Sequence, residues 1–312
     1  MLLIANRELR KQGFMTVIDQ KNVGEFWSSR DIGPAANKPW HSDQITAYRN
    51  KRMCGKSLPG KHDGFVTELR RLYPERTFAR GVSVGAGFAS REMALLKAGI
   101  VQHFTVYELS AKRIEEGRGR AERSKLADRI SFHQGDAFEA KPEQYDMVHW
   151  KGALHHMPDT AAAVRWSYDR LKSGGIFVME EYTGPNRLQY DDRLLAMCDH
   201  VLRLVPDSFF QDGDRVIERK CVRPSQHFLR ERDPSEAVDS VNILPALNAT
   251  FPNARLYGLG GVVYFVALRK VLKNFRPDND EHQALMARLL DIDGALADKG
   301  ESLAHGAIAE KR

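Results

Sequence analysis

From about residue 80 the chain alternates short apolar runs with stretches of helical spacing. Gly81–Val84 reads as a strand, and Ala89–Ala98 as a helix burying Met93, Leu95 and Leu96. Val101–Tyr107 is the next strand, followed by a charged helix over Ala111–Leu126. Ile130–His133 and Tyr145–Trp150 continue the strands. A helix over Thr160–Leu171 turns inward Ala163, Val164 and Leu171, and the turn Lys172-Ser173-Gly174-Gly175 leads into a fifth strand, Ile176–Met179. Strands alternating with helices in this way build βαβ units. The fold class is therefore α/β, a doubly wound, mostly parallel sheet.

The flanks are patterned differently. Residues 1–75 are polar and mixed, with a helix expected over Ser42–Met53, and they read as an N-terminal helical cover. Residues 76–185 hold the strand–helix alternation and form the core. Residues 186–250 interrupt the alternation with a helix over Leu188–Leu204 and another from Ser235 to Leu244, which Pro245 should end; they read as an α-helical lid. Over 251–272, strands Arg255–Tyr257 and Val262–Leu268 flank Gly258-Leu259-Gly260-Gly261 and predict a closing hairpin. Residues 273–312 predict a helix over Pro277–Leu290 and a mobile tail from 299.

Composition narrows the class. The 312 residues are 42% hydrophobic and 28% charged, an ordinary globular balance. No apolar run reaches the roughly 20 residues of a membrane span, and the opening Met1–Ala5 is too short for a signal core, so a cytoplasmic location is expected. Cys54, Cys198 and Cys221 are too few and too irregular for a disulfide framework. Cys198, His200 and Cys221 lack the paired spacing of a zinc site, so no metal is assigned. The net charge of +6 suits an anionic partner without naming one.

The chemistry concentrates at the strand ends. Val82-Ser83-Val84-Gly85-Ala86-Gly87 runs from strand to glycine turn to helix, where backbone N–H groups can meet a nucleotide. Glu108, with Leu109 beside it, ends the next strand about twenty residues on, at the position of a ribose-binding carboxylate. Asp136 in Gly135-Asp136-Ala137-Phe138 can accept from an adenine amino group, with Phe138 or Ala137 able to pack on the ring. Trp150, Lys151, His155 and His156 leave the fourth strand at the edge where such sheets bind ligands.

This order of motifs, with Leu154-His155-His156-Met157-Pro158-Asp159 and then Leu171-Lys172-Ser173-Gly174-Gly175, resembles class I S-adenosylmethionine-dependent methyltransferases of the small-molecule branch that includes quinone and natural-product enzymes. The resemblance implies S-adenosylmethionine as cofactor and a Rossmann-like sheet of seven strands with a final antiparallel hairpin. It also implies a cover helix whose Tyr48, Arg49 or Arg52 lies near the methionine end of the cofactor. Two departures stand out: Ser83 replaces the family's acidic residue, and Ala89 replaces its third glycine. Glu180–Arg187 and Asp233–Val238 look like segments of bacterial methyltransferases of glycan or secondary-metabolite pathways.

Methyl transfer from a sulfonium is an in-line displacement, in which positioning and exclusion of water matter most. The candidate catalytic residues are His155, His156, Glu181 and Tyr182, with His227, Arg187 and Gln189 as acceptor-binding candidates in the lid. The expected acceptor is a small molecule methylated on a hydroxyl or carboxylate; neither a membrane nor nucleic acid is expected as partner, and a homodimer stays open. Two rival readings remain. An NAD(P)-dependent oxidoreductase could use the same glycine turn and Glu108. A non-catalytic or RNA-binding protein could reuse the scaffold, though no aromatic–basic stripe supports that.

Overall fold

The structure, a computed structural model, describes residues 20–29 and 42–312. The expected cover at 1–19 and 30–41 lies outside the described residues. Strands β1 (Phe78–Val84), β2 (Val101–Glu108), β3 (Ile130–Gln134), β4 (Tyr145–Lys151) and β5 (Leu171–Tyr182) pair in parallel. A small hairpin of β6 (Gln211–Asp212) and β7 (Arg215–Val216) lies in the lid. Strands β8 (Arg255–Gly258) and β9 (Ala304–Glu310) complete the main sheet antiparallel, in the order β3-β2-β1-β4-β5-β9-β8. Seven strands, doubly wound and mostly parallel, match the expected class.

Helices cover both faces. On one side α2 (Asp43–Cys54), α3 (Asp63–Leu72), α4 (Ser90–Lys97) and α5 (Ala111–Arg123) bury Met53, Phe65, Leu95 and Ile114 with Phe104 and Val178. On the other, α6 (Thr160–Arg170) and α9 (Ile243–Thr250) bury Val164 and Leu247 with Val148 and Phe177. A third core joins the lid helix α7 (Asp192–Leu202) to α10 (Asp280–Asp298). The Ser42 hydroxyl caps α2 by accepting the Ile45 N–H. Two further helices, α1 (Gln20–Ser29) and α8 (Gln226–Arg232), lie in the cover and the lid. No helix among the described residues is long and apolar enough to cross a membrane.

Three sequence expectations need correction. The closing hairpin over 251–272 does not form, because Val262–Val266 is a π-helical turn continued by Ala267–Lys270. Gly261 adopts φ +114°, and the Asp293 carboxylate accepts the N–H groups of Gly261 and Val263, which starts a helix where an apolar run alone could equally be a strand. The mobile tail is instead β9, clamped between β5 and β8, and the helix before it extends to Asp298. The Ser235–Leu244 helix is broken at Ala237 (φ +48°), and Pro245 sits in the first turn of α9 rather than after its end, where a missing N–H costs no helical bond.

Candidate active site

The nucleotide edge begins where β1 meets α4. Gly85 takes φ +62°, and a Cβ there would lie 2.8 Å from that of Ala153, so only glycine lets the first turn touch the turn after β4. Ala89 also has positive φ, +54°, a strain on the order of 1 kcal/mol that explains glycine as the family's usual choice. The Glu108 carboxylate is buried at the end of β2. Its Oε2 accepts the Gly87 N–H at 2.8 Å and its Oε1 the Ser110 N–H at 2.9 Å. Each oxygen keeps a second lone pair for a ribose hydroxyl. Asp136 Oδ1 accepts the Phe138 N–H at 2.9 Å, which fixes the loop after β3. Helix α1 closes this edge. Ser28 Oγ meets Ser110 Oγ at 2.9 Å, and the Trp27 ring stands edge-on to His156 at 5.6 Å with Arg113 over its face.

Next to the glycine turn lies a buried charge cluster. Glu180, on β5, receives Arg49 at 2.8 Å, Arg91 at 2.5 Å and Lys151 at 3.0 Å. Burial works to raise its carboxyl, but Arg91, Lys151 and Arg49 outweigh it and hold the group well below the usual carboxylate range. Burial, then the Arg91 charge, pushes the Lys151 ammonium down to about 8. His62 accepts from Arg91 Nε and is pushed down to about 3 by burial and Arg91, so it adds no charge at neutral pH. Arg49 Nε and Arg91 Nη1 are buried without a hydrogen-bond partner among the described residues. Three cations on one carboxylate, with two idle N–H donors, make an anion-seeking pocket.

Beneath it, Ser83 stands where the family carries an acid. Glu92 brings a carboxylate there from α4: its Oε1 takes the Ser83 hydroxyl at 2.6 Å and lies 2.8 Å from His149 Nδ1. Burial opposes the charge, but His149 and Ser83 hold Glu92 at about 2.

The acceptor side forms where β4 and β5 end. Glu181 Oε1 accepts the N–H groups of Ala153 and Leu154 at 2.9 and 3.1 Å, and Oε2 accepts His155 Nδ1–H at 2.7 Å. It thereby fixes both the turn and the imidazole it carries. Burial disfavours the charged imidazole, yet the Glu181 hydrogen bond and charge, backed by Glu236 and Asp233, raise His155 above the ordinary histidine value. His155 Nε2 lies 3.8 Å from Glu236 Oε1. The His156 ring is 4.1 Å from that of His155, and its Nδ1 meets Ser235 Oγ at 3.0 Å. The loop opposite is pinned by Arg187, whose Nη1 donates to the Pro234 and Glu236 carbonyls and whose N–H donates to Ala237 O.

Comparisons with known proteins agree with this geometry. The family described as "Methyltransferase domain" matches residues 82–214. Residues 82–214 carry a methyltransferase domain. It is 28% identical over 175 residues to a 27-O-demethylrifamycin SV methyltransferase of Amycolatopsis mediterranei, covering 55% of this chain and 60% of that one. It is 33% identical over 92 residues to a ubiquinone/menaquinone biosynthesis C-methyltransferase of Bradyrhizobium, covering 29% of this chain and 36% of the relative. The match thus spans less than two thirds of either relative's length. Among solved structures, geranyl diphosphate C-methyltransferase from Streptomyces coelicolor shares the fold with a TM-score of 0.52 at 10% identity, over 94% of this chain and 97% of that one. Phosphoethanolamine N-methyltransferase 2 of Haemonchus contortus does so with a TM-score of 0.50 at 16% identity, over 87% and 58%.

Within the methyltransferase domain the sequence candidates separate. Gly85, Ala86, Gly87, Glu108, Leu109, Asp136 and Ala137 line the loops after β1, β2 and β3. Lys151 joins the charge cluster, and His155, His156 and Glu181 form one constellation. Others are corrected by their partners. Trp150 is fully buried and donates its Nε1–H to Ser167 Oγ, so it is core and offers the cofactor no surface. Tyr48 donates to Asp293 at 2.8 Å, while Arg52 holds Gly258 O and Asp298; both tie α2 to the closing segment. Tyr182 gives its hydroxyl to Pro185 O, and burial pushes it upward, so it is a wall and no base. His227 is exposed and paired with Glu231, and Gln189 Nε2 holds the Arg187 and Pro224 carbonyls. Arg187 binds its own loop instead of facing an acceptor.

The sequence reading missed Arg91, Trp27 and the carboxylates Asp233 and Glu236 as site residues. Arg91 carried a usable signal: a cation in the first turn of a helix opposes the helix dipole and needs a reason. Trp27 and Asp233 carried none, because only the fold brings them to the β4 edge.

Proposed function

We propose that this chain is an S-adenosylmethionine-dependent methyltransferase that methylates an oxygen of a small-molecule acceptor. The observation that carries it is the continuity of the Gly85–Gly87 turn, the anchored Glu108 carboxylate and the Glu180 cation pocket, joined at the Gly85–Ala153 contact to the His155 turn. The residues fit the cofactor. Glu108 has lone pairs for the ribose, the Asp136–Ala137 loop flanks the base, and the idle Arg49 Nε and Arg91 Nη1, with Lys151, suit the methionine carboxylate. When bound, the cofactor supplies an electrophilic methyl on a sulfonium.

The protein's contribution is placement. Glu181 is a positioning residue, holding the Nδ1–H tautomer of His155 so that Nε2 can receive a hydrogen bond from an acceptor hydroxyl. The 186–250 lid with α1 closes over that edge and keeps water out. Oxygen as the methylated atom is supported by these hydrogen-bond acceptors and by the longer match to an O-demethylrifamycin enzyme. The cytoplasm is the proposed location.

Calorimetry with S-adenosylmethionine, S-adenosylhomocysteine and NAD tests the reading. Both sulfur compounds should bind and NAD should not; failure of both sulfur compounds sinks it. Glu108→Ala should weaken S-adenosylhomocysteine by about 2 kcal/mol, roughly thirtyfold, by removing ribose contacts and releasing the Gly87 N–H. An unchanged affinity would take the ribose away from Glu108.

A further inference from the structure

His155, His156 and Glu236 each offer a ligand atom, and these atoms lie within 4.8 Å of one another. We propose that they form a site for a divalent first-row transition cation.

The protonation pattern prepares both imidazoles. His155 gives its Nδ1–H to Glu181. The Ser235 hydroxyl is donated to Asp233 Oδ1 at 2.7 Å, so toward His156 Nδ1 it acts as acceptor and that nitrogen carries the proton. In both rings Nε2 is then the lone-pair nitrogen. A carboxylate or hydroxyl behind the ring is the outer-shell arrangement that orients metal-binding histidines. Asp233 supplies the second, independent observation. Its side chain is buried, and its Oδ2 has no hydrogen-bond partner among the described residues although it lies 4.0 Å from His156 Nδ1. On the Nδ1 side of the ring, that oxygen sets a carboxylate behind His156 as Glu181 does behind His155.

Charge points the same way. Glu181, Asp233 and Glu236 surround two imidazoles, and Arg187 is the cation tied to that loop. The carboxylates outnumber that cation, and a divalent ion bound in place of the imidazole Nε2 protons neutralises the excess. Mixed imidazole and carboxylate donors suit zinc, cobalt, nickel, iron or manganese better than magnesium or calcium. Ligand bonds of about 2.0–2.2 Å place donors roughly 3.3 Å apart. The 3.8 Å from His155 Nε2 to Glu236 Oε1 therefore needs only a small contraction of a side chain that is partly exposed. The pinned Asp233–Ala237 loop presents Glu236 on a fixed backbone. The inference deepens the proposed function and rests on its reading of this edge as the acceptor end; with the ion bound, His155 Nε2 ligates it instead of receiving the hydroxyl's hydrogen bond, and the ion would meet the acceptor oxygen directly.

The test uses the full chain stripped with a chelator and titrated with Co²⁺ or Zn²⁺ alone. One ion per chain should bind, and Co²⁺ should show visible d–d bands of imidazole ligation. Glu236→Gln and His155→Ala should each weaken binding at least about tenfold, and Glu181→Gln, outside the ion's contact, by about tenfold. Circular dichroism confirms that each variant is folded. Uptake no greater than that of the folded His155→Ala/His156→Ala double variant overturns the proposal. Calorimetry with S-adenosylhomocysteine on the metal-free protein separates the two readings: intact cofactor binding without ion uptake removes only the ion, and ion uptake without cofactor binding removes the methyltransferase reading.

Discussion

Glu180 and Glu181 are neighbours on β5, yet they serve opposite faces of the sheet, as the two-residue period of a strand requires. Glu180 points among Arg49, Arg91 and Lys151 and leaves an excess of positive charge. Glu181 points at the His155 turn, where Asp233 and Glu236 leave an excess of negative charge. One strand end thus carries two sites of opposite sign. The positive one suits an anionic end of a cofactor, and the negative one suits a hydroxyl or a cation. A carboxylate's function here is set by the face it lands on.

The largest expected effect comes from removing the charge of Glu180. Glu180→Gln leaves three cations around an uncharged amide and should cost about 3–5 kcal/mol of stability near neutral pH, measured by urea unfolding. The pH sign follows from the depressed carboxyl. Its stabilisation is present above the ordinary value of 4.5 and is lost as pH falls through the lower folded-state value. The gap between wild type and Glu180→Gln should therefore narrow below pH 4.5. A gap that stays constant with pH would mean that the three cations do not act on this carboxylate.

The opposite face should answer in turnover rather than stability. His155→Ala should lower kcat by about a hundredfold, the scale of losing a group that meets the reacting centre, while S-adenosylhomocysteine affinity stays within about twofold. Equal losses of turnover and cofactor affinity would merge the two faces into one site and break the contrast. Glu181 is the less informative target because its removal also frees two backbone N–H groups.

How much of this contrast the sequence shows depends on the kind of signal. The β1–β5 alternation and the Gly85, Glu108 and Asp136 loops are local patterns, and local patterns survive in one dimension. Val262–Leu268 misled because an unbroken apolar run fits a buried helix as well as a strand, and what decides is Asp293, thirty residues away, capping the Val263 N–H. β9 was invisible because Ala304-His305-Gly306-Ala307-Ile308-Ala309 lacks the bulky β-branched run of a typical strand. Small residues are what its place demands: a Cβ on Gly306 would lie 2.8 Å from Met53 Sδ. The lid loop of Asp233 and Glu236 met the β4 histidines only through tertiary folding.

The smallest effect asks whether the positive face is a cofactor pocket or only a structural ion cluster. Helix α2 supplies an internal control, because Arg49 and Arg52 share it but not its surroundings. Arg49 has a buried Nε without a partner beside Glu180, whereas Arg52 is spent on Gly258 O and Asp298. If the idle donor awaits the methionine carboxylate, Arg49→Gln should raise the Kd for S-adenosylhomocysteine by about tenfold, near 1.4 kcal/mol, the scale of one charge-assisted hydrogen bond. Arg52→Gln should leave that Kd unchanged while lowering stability slightly. An analogue lacking the carboxylate should bind wild type and Arg49→Gln alike, since the contact under test is then absent from both. If Arg49→Gln weakens that analogue as much as S-adenosylhomocysteine, the arginine acts by shaping the pocket, and the anionic end of the ligand must be sought at Arg91 and Lys151.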